Sequence, residues 1–216
     1  IRQSMTEHKF QAILLQGVTG SGKTEVYLQA IDEALAMGRG TLMLVPEIGL
    51  TPAVAGQFHQ RFGEQVAILH SAFHDSERAQ EWRRIRSGEA SVVVATRSGV
   101  FAPVQNLGLI LVDEEHDQSY KQQDAPRYHG RDVAVVRARD EGATVVLGSA
   151  TPSIESYWNA QRGKYGLVEM MQRHGGVSLP QIHLVDIRKE LKAKTMQSVF
   201  RRATKADFCQ LHPSFA

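Results

Sequence analysis

Six short apolar runs recur along the chain, at residues 12–15, 41–45, 66–69, 91–95, 107–112 and 144–147. Each is near-continuously apolar. An exposed sheet face would make apolar and polar residues alternate, so these runs read as strands covered on both faces, the signature of a parallel sheet. Parallel neighbours need crossovers, and helical patterns at 24–37, 52–62, 76–86, 131–140 and 154–161 supply them. Thr51-Pro52 and Thr151-Pro152 each set a capping hydroxyl before a proline at the first helical position. Gly38 and Gly88 follow helix ends. Weaker strand candidates lie at 165–170 and 182–187. The pattern predicts an α/β fold, a three-layer α/β/α sandwich with a mostly parallel sheet. No apolar run reaches ~18 residues, so no membrane-spanning helix and no membrane partner are expected.

Gly17-Val18-Thr19-Gly20-Ser21-Gly22-Lys23-Thr24 follows the first run and opens the first helix. It fits Gly-x-x-x-x-Gly-Lys-[Ser/Thr] in the strand–turn–helix context that pattern requires. Its glycines let the backbone wrap a phosphate with the amides turned inward, and the helix start adds positive potential. Lys23 reaches the β and γ phosphates of a nucleoside triphosphate, and the Thr24 hydroxyl ligates Mg²⁺. The plain alternative is a glycine-rich turn that contains a lysine.

The fifth run ends in Asp113-Glu114-Glu115-His116. In a doubly wound sheet, ligands sit beyond the carboxyl ends of the strands, so Asp113 is expected beside the phosphate loop. Asp113 is the candidate Mg²⁺ ligand, and Glu114 the candidate base that orients the attacking water. The competing reading is an acidic turn after a core strand. His116 either senses the γ-phosphate or caps the turn. The polar stretch 117–130 carries Tyr120, Tyr128 and His129 and is long for a connection, which marks it as functional or disordered.

These residues, with Gly148-Ser149-Ala150-Thr151-Pro152 after them, resemble the first RecA-like lobe of a superfamily 2 (DEAD/DEAH-like) helicase, a P-loop NTPase. The resemblance sharpens at Val45-Pro46-Glu47-Ile48-Gly49-Leu50-Thr51, Thr96-Arg97-Ser98, Ser119-Tyr120-Lys121-Gln122-Gln123 and Arg127-Tyr128-His129. These are similar to the primosomal replication-restart helicase family, over residues 12–188. The resemblance implies an ATP-dependent 3′–5′ DNA helicase that acts in primosome assembly, with ATP and Mg²⁺ as cofactors. Lys23, Asp113 and Glu114 would be catalytic. Pro46, Glu47, Gly49, Thr51, Thr96, Arg97 and Ser98 would contact single-strand backbone, and Ser149 and Thr151 would couple nucleotide state to strand binding. Tyr120, Lys121, Arg127, Tyr128 and His129 would belong to an aromatic-rich loop linking DNA to hydrolysis. On chemistry alone, Arg97, Lys121, Arg127 and Arg131 could meet phosphates and Tyr120 or Tyr128 could stack on a base. The plainer reading of Arg127 and Tyr128 is loop packing and a salt bridge to Asp124 or Asp132.

Lys+Arg is 25 and Asp+Glu is 23, a net charge of +2. That balance does not by itself demand a nucleic-acid partner. Single-stranded or forked DNA and other primosome proteins come from the resemblance alone. The single cysteine, Cys209, excludes an intramolecular disulfide framework and fits a reducing, cytoplasmic setting. The family's paired-cysteine zinc insertion is not in this stretch. The opening Ile1-Arg2-Gln3-Ser4-Met5 has no signal-peptide pattern and no initiator methionine, as expected of a piece of a longer chain. Residues 1–188 are expected to form the ATP-binding lobe, and 189–216 a linker or non-native, poorly ordered tail. The other classes weighed are a P-loop phosphotransferase, which needs an acceptor pocket and lid arginines, and a DNA-docking module without turnover.

Overall fold

The computed structural model describes residues 1–6, 9–70 and 73–173, all within one compact unit, Ile1–Val177. The strand candidate at 182–187 and the tail from 189 lie outside the described residues. In chain order the elements are α1 (Arg2–Thr6), β1 (Gln11–Gly17), α2 (Lys23–Ala36), β2 (Gly40–Leu44), α3 (Pro52–Phe62), β3 (Val66–Leu69), α4 (Asp75–Ser87), β4 (Val92–Ala95) and β5 (Leu107–Val112). Then follow β6 (Lys121–Gln122), β7 (Tyr128–His129), α5 (Gly130–Asp140), β8 (Thr144–Ser149), α6 (Ile154–Gln161) and β9 (Gly166–Met170).

Seven strands form one sheet in the order β3-β4-β2-β5-β8-β1-β9. Every pairing in it is parallel. Side chains alternate between two cores along each strand. On β1, Ile13 and Leu15 face Tyr27, Ile31 and Ala34 of α2 and Phe58 and Phe62 of α3. Ala12 and Leu14 face the other way, toward Ile85 of α4, Ala134 and Ala138 of α5 and Ala160 of α6. The continuous apolar runs are thus explained by helices on both faces, giving the three layers expected. Among the described residues, no helix is long and apolar enough to cross a membrane.

Local chemistry sets the helix ends. Thr51 Oγ1 accepts from the Val54 amide at 3.3 Å with Pro52 at the first position of α3, as expected. Gly88 closes α4 in the left-handed conformation. The start of α6 departs from expectation. Ser153, not Thr151, is its N-cap, and the Ser153 hydroxyl accepts from the Ser156 amide. The Thr151 amide instead donates to Ser149 Oγ at 2.9 Å. The stretch 117–130 is not a bare loop. A 3-10 turn at Gln118–Tyr120 leads into the antiparallel β6–β7 hairpin.

Candidate active site

Because all seven strands run one way, their carboxyl ends share one edge. The loop after β1, the Pro46 segment after β2, Thr96 after β4, Asp113 after β5 and Ser149 at the end of β8 all gather there. Thr19, Gly20, Ser21, Gly22, Lys23, Thr24, Glu25, Asp113 and Glu114 line one cleft of about 490 Å³. Residues ninety positions apart in sequence therefore face the same space, as the sequence predicts. Val18 continues the loop, and its amide donates to the Met170 carbonyl of β9 at 3.2 Å.

The cradle fits a phosphate chain. Gly20 and Gly22 hold φ of 78° and 92°, a backbone that side-chain-bearing residues adopt only under strain. A Cβ on Gly17 would lie 2.7 Å from Ser21 Oγ and 3.0 Å from Lys23 Cγ. The Ser21 hydroxyl is buried and has no hydrogen-bond partner in the structure, a donor aimed at nothing the protein supplies. Lys23 is 9% exposed. Its Nζ donates to the Gly17 carbonyl at 2.9 Å and lies 3.7 Å from Glu114 Oε1.

Opposite the loop, Asp113 and Glu114 differ in setting. Burial holds the Asp113 carboxyl above its ordinary range, opposed by a hydrogen bond from Tyr27. Such a group gains from a cation that replaces lost solvation. Glu114 is more open and takes φ of 43°, unusual for a residue with a Cβ. Backbone strain of this kind gathers at functional sites.

The next two residues do work that the sequence reading missed. Glu115 is fully buried. Its carboxylate accepts from the Ser153 amide at 2.6 Å, Ser153 Oγ at 3.0 Å, Ser156 Oγ at 2.9 Å and Arg131 Nη1 at 3.0 Å. Arg131 also donates to Asp132 at 2.8 Å, so it serves these internal carboxylates, whereas its charge alone left a phosphate contact open. His116 Nδ1 lies 2.8 Å from Ser149 Oγ, and its Nε2 lies 3.4 Å from Thr151 Oγ1. The acidic strand end is thereby tied to the Ser149–Thr151 segment at the end of β8.

The remaining candidates sort by exposure. Glu47, Thr51, Ser98, Lys121 and Arg127 are exposed, Gly49 is half-buried, and Pro46 and Thr96 are buried. Arg97 Nη1 donates to the carbonyls of Ser119 at 2.8 Å and Lys121 at 3.2 Å, which pins the hairpin to the end of β4. Tyr120 is fully buried and donates its hydroxyl to the Asp113 carbonyl at 2.7 Å. Its ring has no face for a base, so the stacking expectation fails for Tyr120. Tyr128 is half-buried and packs edge-on against Phe101 at 5.1 Å. Arg127 donates to the Gln123 carbonyl at 3.1 Å, while the nearby salt bridge to Asp132 belongs to Arg131. Burial first, then the charge of Arg131, holds the half-buried His129 below the usual imidazole range.

Residues 2–158 match the DEAD/DEAH box helicase family. Among curated relatives, the chain is 49% identical over 192 residues to the Replication restart protein PriA of Bacillus subtilis, covering 89% of this chain and 24% of that protein. It is 48% identical over 201 residues to the protein of the same name from Chlamydia trachomatis, covering 93% of this chain and 27% of that one. The chain thus spans about a quarter of the length of these relatives. Among solved structures, RecG bound to a three-way DNA junction matches with a TM-score of 0.60 at 28% identity, over 93% of this chain and 26% of that one. The Hef helicase domain of Pyrococcus furiosus matches in fold, with a TM-score of 0.54 at 22% identity, over 93% of this chain and 45% of that one.

Proposed function

The chain belongs to the DEAD/DEAH box helicase family, and from that premise we propose that it is the ATP-binding and ATP-hydrolysing lobe of a DNA helicase that acts in replication restart. The observation that carries this reading is the shared cleft, in which Lys23 and Thr24 face Asp113 and Glu114. The glycine loop at the start of α2 would hold the phosphates, and Lys23 would balance their charge. Thr24 and Asp113, which line the cleft together, would hold Mg²⁺. Bound Mg²⁺ supplies charge neutralisation at the phosphates. Glu114, on the open side of the cleft, orients water in line with the γ-phosphate. This chemistry is mostly positioning and electrostatics, which suits groups fixed at strand and helix ends.

Coupling to DNA has a physical path. Lys121, Arg127 and Ser98 are exposed around the hairpin and offer contacts to a single-strand backbone. The exposed Glu47 and Thr51, after β2, extend that surface along the same sheet edge. A strand that shifts the hairpin moves Ser119 and Tyr120, and Tyr120 is bonded to the backbone of Asp113. His116 carries the same movement to Ser149 and Thr151. In this reading the substrate is single-stranded or forked DNA, the polarity 3′ to 5′, the setting cytoplasmic, and the partners other restart proteins. A second lobe supplies the arginine that completes the site, worth ~10³–10⁵ in rate in comparable systems.

The test is ATP hydrolysis by the full-length protein with and without single-stranded DNA. We expect strong stimulation by DNA. A rate indifferent to DNA, with phosphate passed to a small acceptor, would replace this reading with a phosphotransferase.

A further inference from the structure

We infer that Tyr27 is a positioning residue that holds the Asp113 carboxylate in its Mg²⁺-binding orientation, and that Gly148 exists to let it reach. The inference deepens the nucleotide reading above and rests on it. Tyr27 stands one turn beyond Lys23 on α2, so both side chains lie on one face of that helix. It is fully buried. Its hydroxyl donates to Asp113 Oδ1 at 3.0 Å, across 86 residues of sequence.

The sheet order shows why this contact needs a special arrangement. The strand that leads into the phosphate loop, β1, and the strand that ends in Asp113, β5, are not neighbours. Strand β8 lies between them. Helix α2 packs over β2 and β5, and its Tyr27 hydroxyl reaches Asp113 on the side where β8 borders β5. There it rests against Gly148, where a Cβ would overlap the hydroxyl and lie 2.9 Å from the adjoining ring carbon. No other residue fits there without moving the tyrosine. The Gly148 carbonyl also accepts from the Glu115 amide at 3.0 Å, so β8 is locked to the same acidic turn.

One feature makes this more than a satisfied buried hydroxyl. The donor shares a helix with the lysine and threonine that line the phosphate cleft. Any rigid shift of α2 on nucleotide binding moves Lys23, Thr24 and the hydroxyl on Asp113 together. Partners of this kind orient a ligand and sharpen metal affinity.

The experiment is binding of a fluorescent ATP analogue to the purified protein, titrated with Mg²⁺ and repeated in EDTA, with the thermal midpoint recorded alongside. Tyr27→Phe keeps the ring and removes the hydroxyl. It should raise the Mg²⁺ concentration for half-maximal binding ~10-fold, the low end of the effect of outer-shell partners, and leave affinity in EDTA as in wild type. Gly148→Ala should shift the same midpoint although Tyr27 is intact. Added to Tyr27→Phe it should shift that midpoint little further. A Tyr27→Phe protein with wild-type Mg²⁺ dependence overturns the inference while leaving the nucleotide reading in place. Equal loss of affinity in Mg²⁺ and EDTA, marking a purely structural role, overturns it as well. Wild-type protein that binds no nucleotide overturns both.

Discussion

Glu114→Gln should lower ATP hydrolysis by ~10²–10⁴-fold, the range for a positioned base, while ATP binding survives. The reason lies in the division of labour at the strand end. In the proposed site Lys23, Thr24 and Asp113 would grip phosphate and metal, whereas Glu114 lines the same cleft 3.7 Å from Lys23. The amide keeps the shape of the side chain and removes its charge and basicity. DNA-stimulated turnover, measured beside equilibrium binding of an ATP analogue, separates the two roles. Loss of binding in step with turnover would make Glu114 part of the grip and leave water orientation to another group.

Glu115→Ala should destabilise the fold by about 3–5 kcal/mol, the cost of breaking a buried ion pair from one side. The substitution strips Arg131 of its buried carboxylate and removes acceptors from the Ser153 amide and the Ser156 hydroxyl. A domain of this size holds only ~5–15 kcal/mol in total, so the variant should melt far earlier or fail to accumulate. Denaturant unfolding reads this directly. A midpoint within the range of neutral surface substitutions would mean that Glu115 is not the anchor of α6. Glu114 and Glu115 are adjacent and chemically alike, yet one change should cost activity and the other the fold.

That contrast shows what the sequence could reveal. The phosphate loop and the parallel sheet were legible because their signals are local: glycine spacing, apolar runs, and caps such as Thr51 and Gly88. The cleft itself followed from one topological rule, that ligands gather at the carboxyl ends of strands. The roles of Glu115 and His116 were not legible, because four polar residues in a row do not say which points inward. Only the packing of α6 and β8 sends Glu115 into the core and His116 toward Ser149. Thr151-Pro152 had the composition of a cap, but Ser149 claims its amide and Ser153, two residues on, caps the helix. Stacking on a base stayed open for Tyr120 or Tyr128, because burial of a loop tyrosine depends on what the loop folds over. Tyr27 left a faint trace, a tyrosine one turn past Lys23, but its partner lies 86 residues away and its path depends on a glycine in a third strand. The short β6–β7 hairpin and α1 left no periodicity long enough to read.

The most direct check on the shared cleft is equilibrium binding of Mg²⁺-ATP to wild type and Lys23→Ala. The cradle leaves Lys23 as the buried cation facing Glu114 and the phosphate path, so wild type should bind and Lys23→Ala should lose most of that affinity with its fold intact. Equal affinity in the two proteins would show that the triphosphate is held elsewhere, and the assignment of the cleft would fall with it.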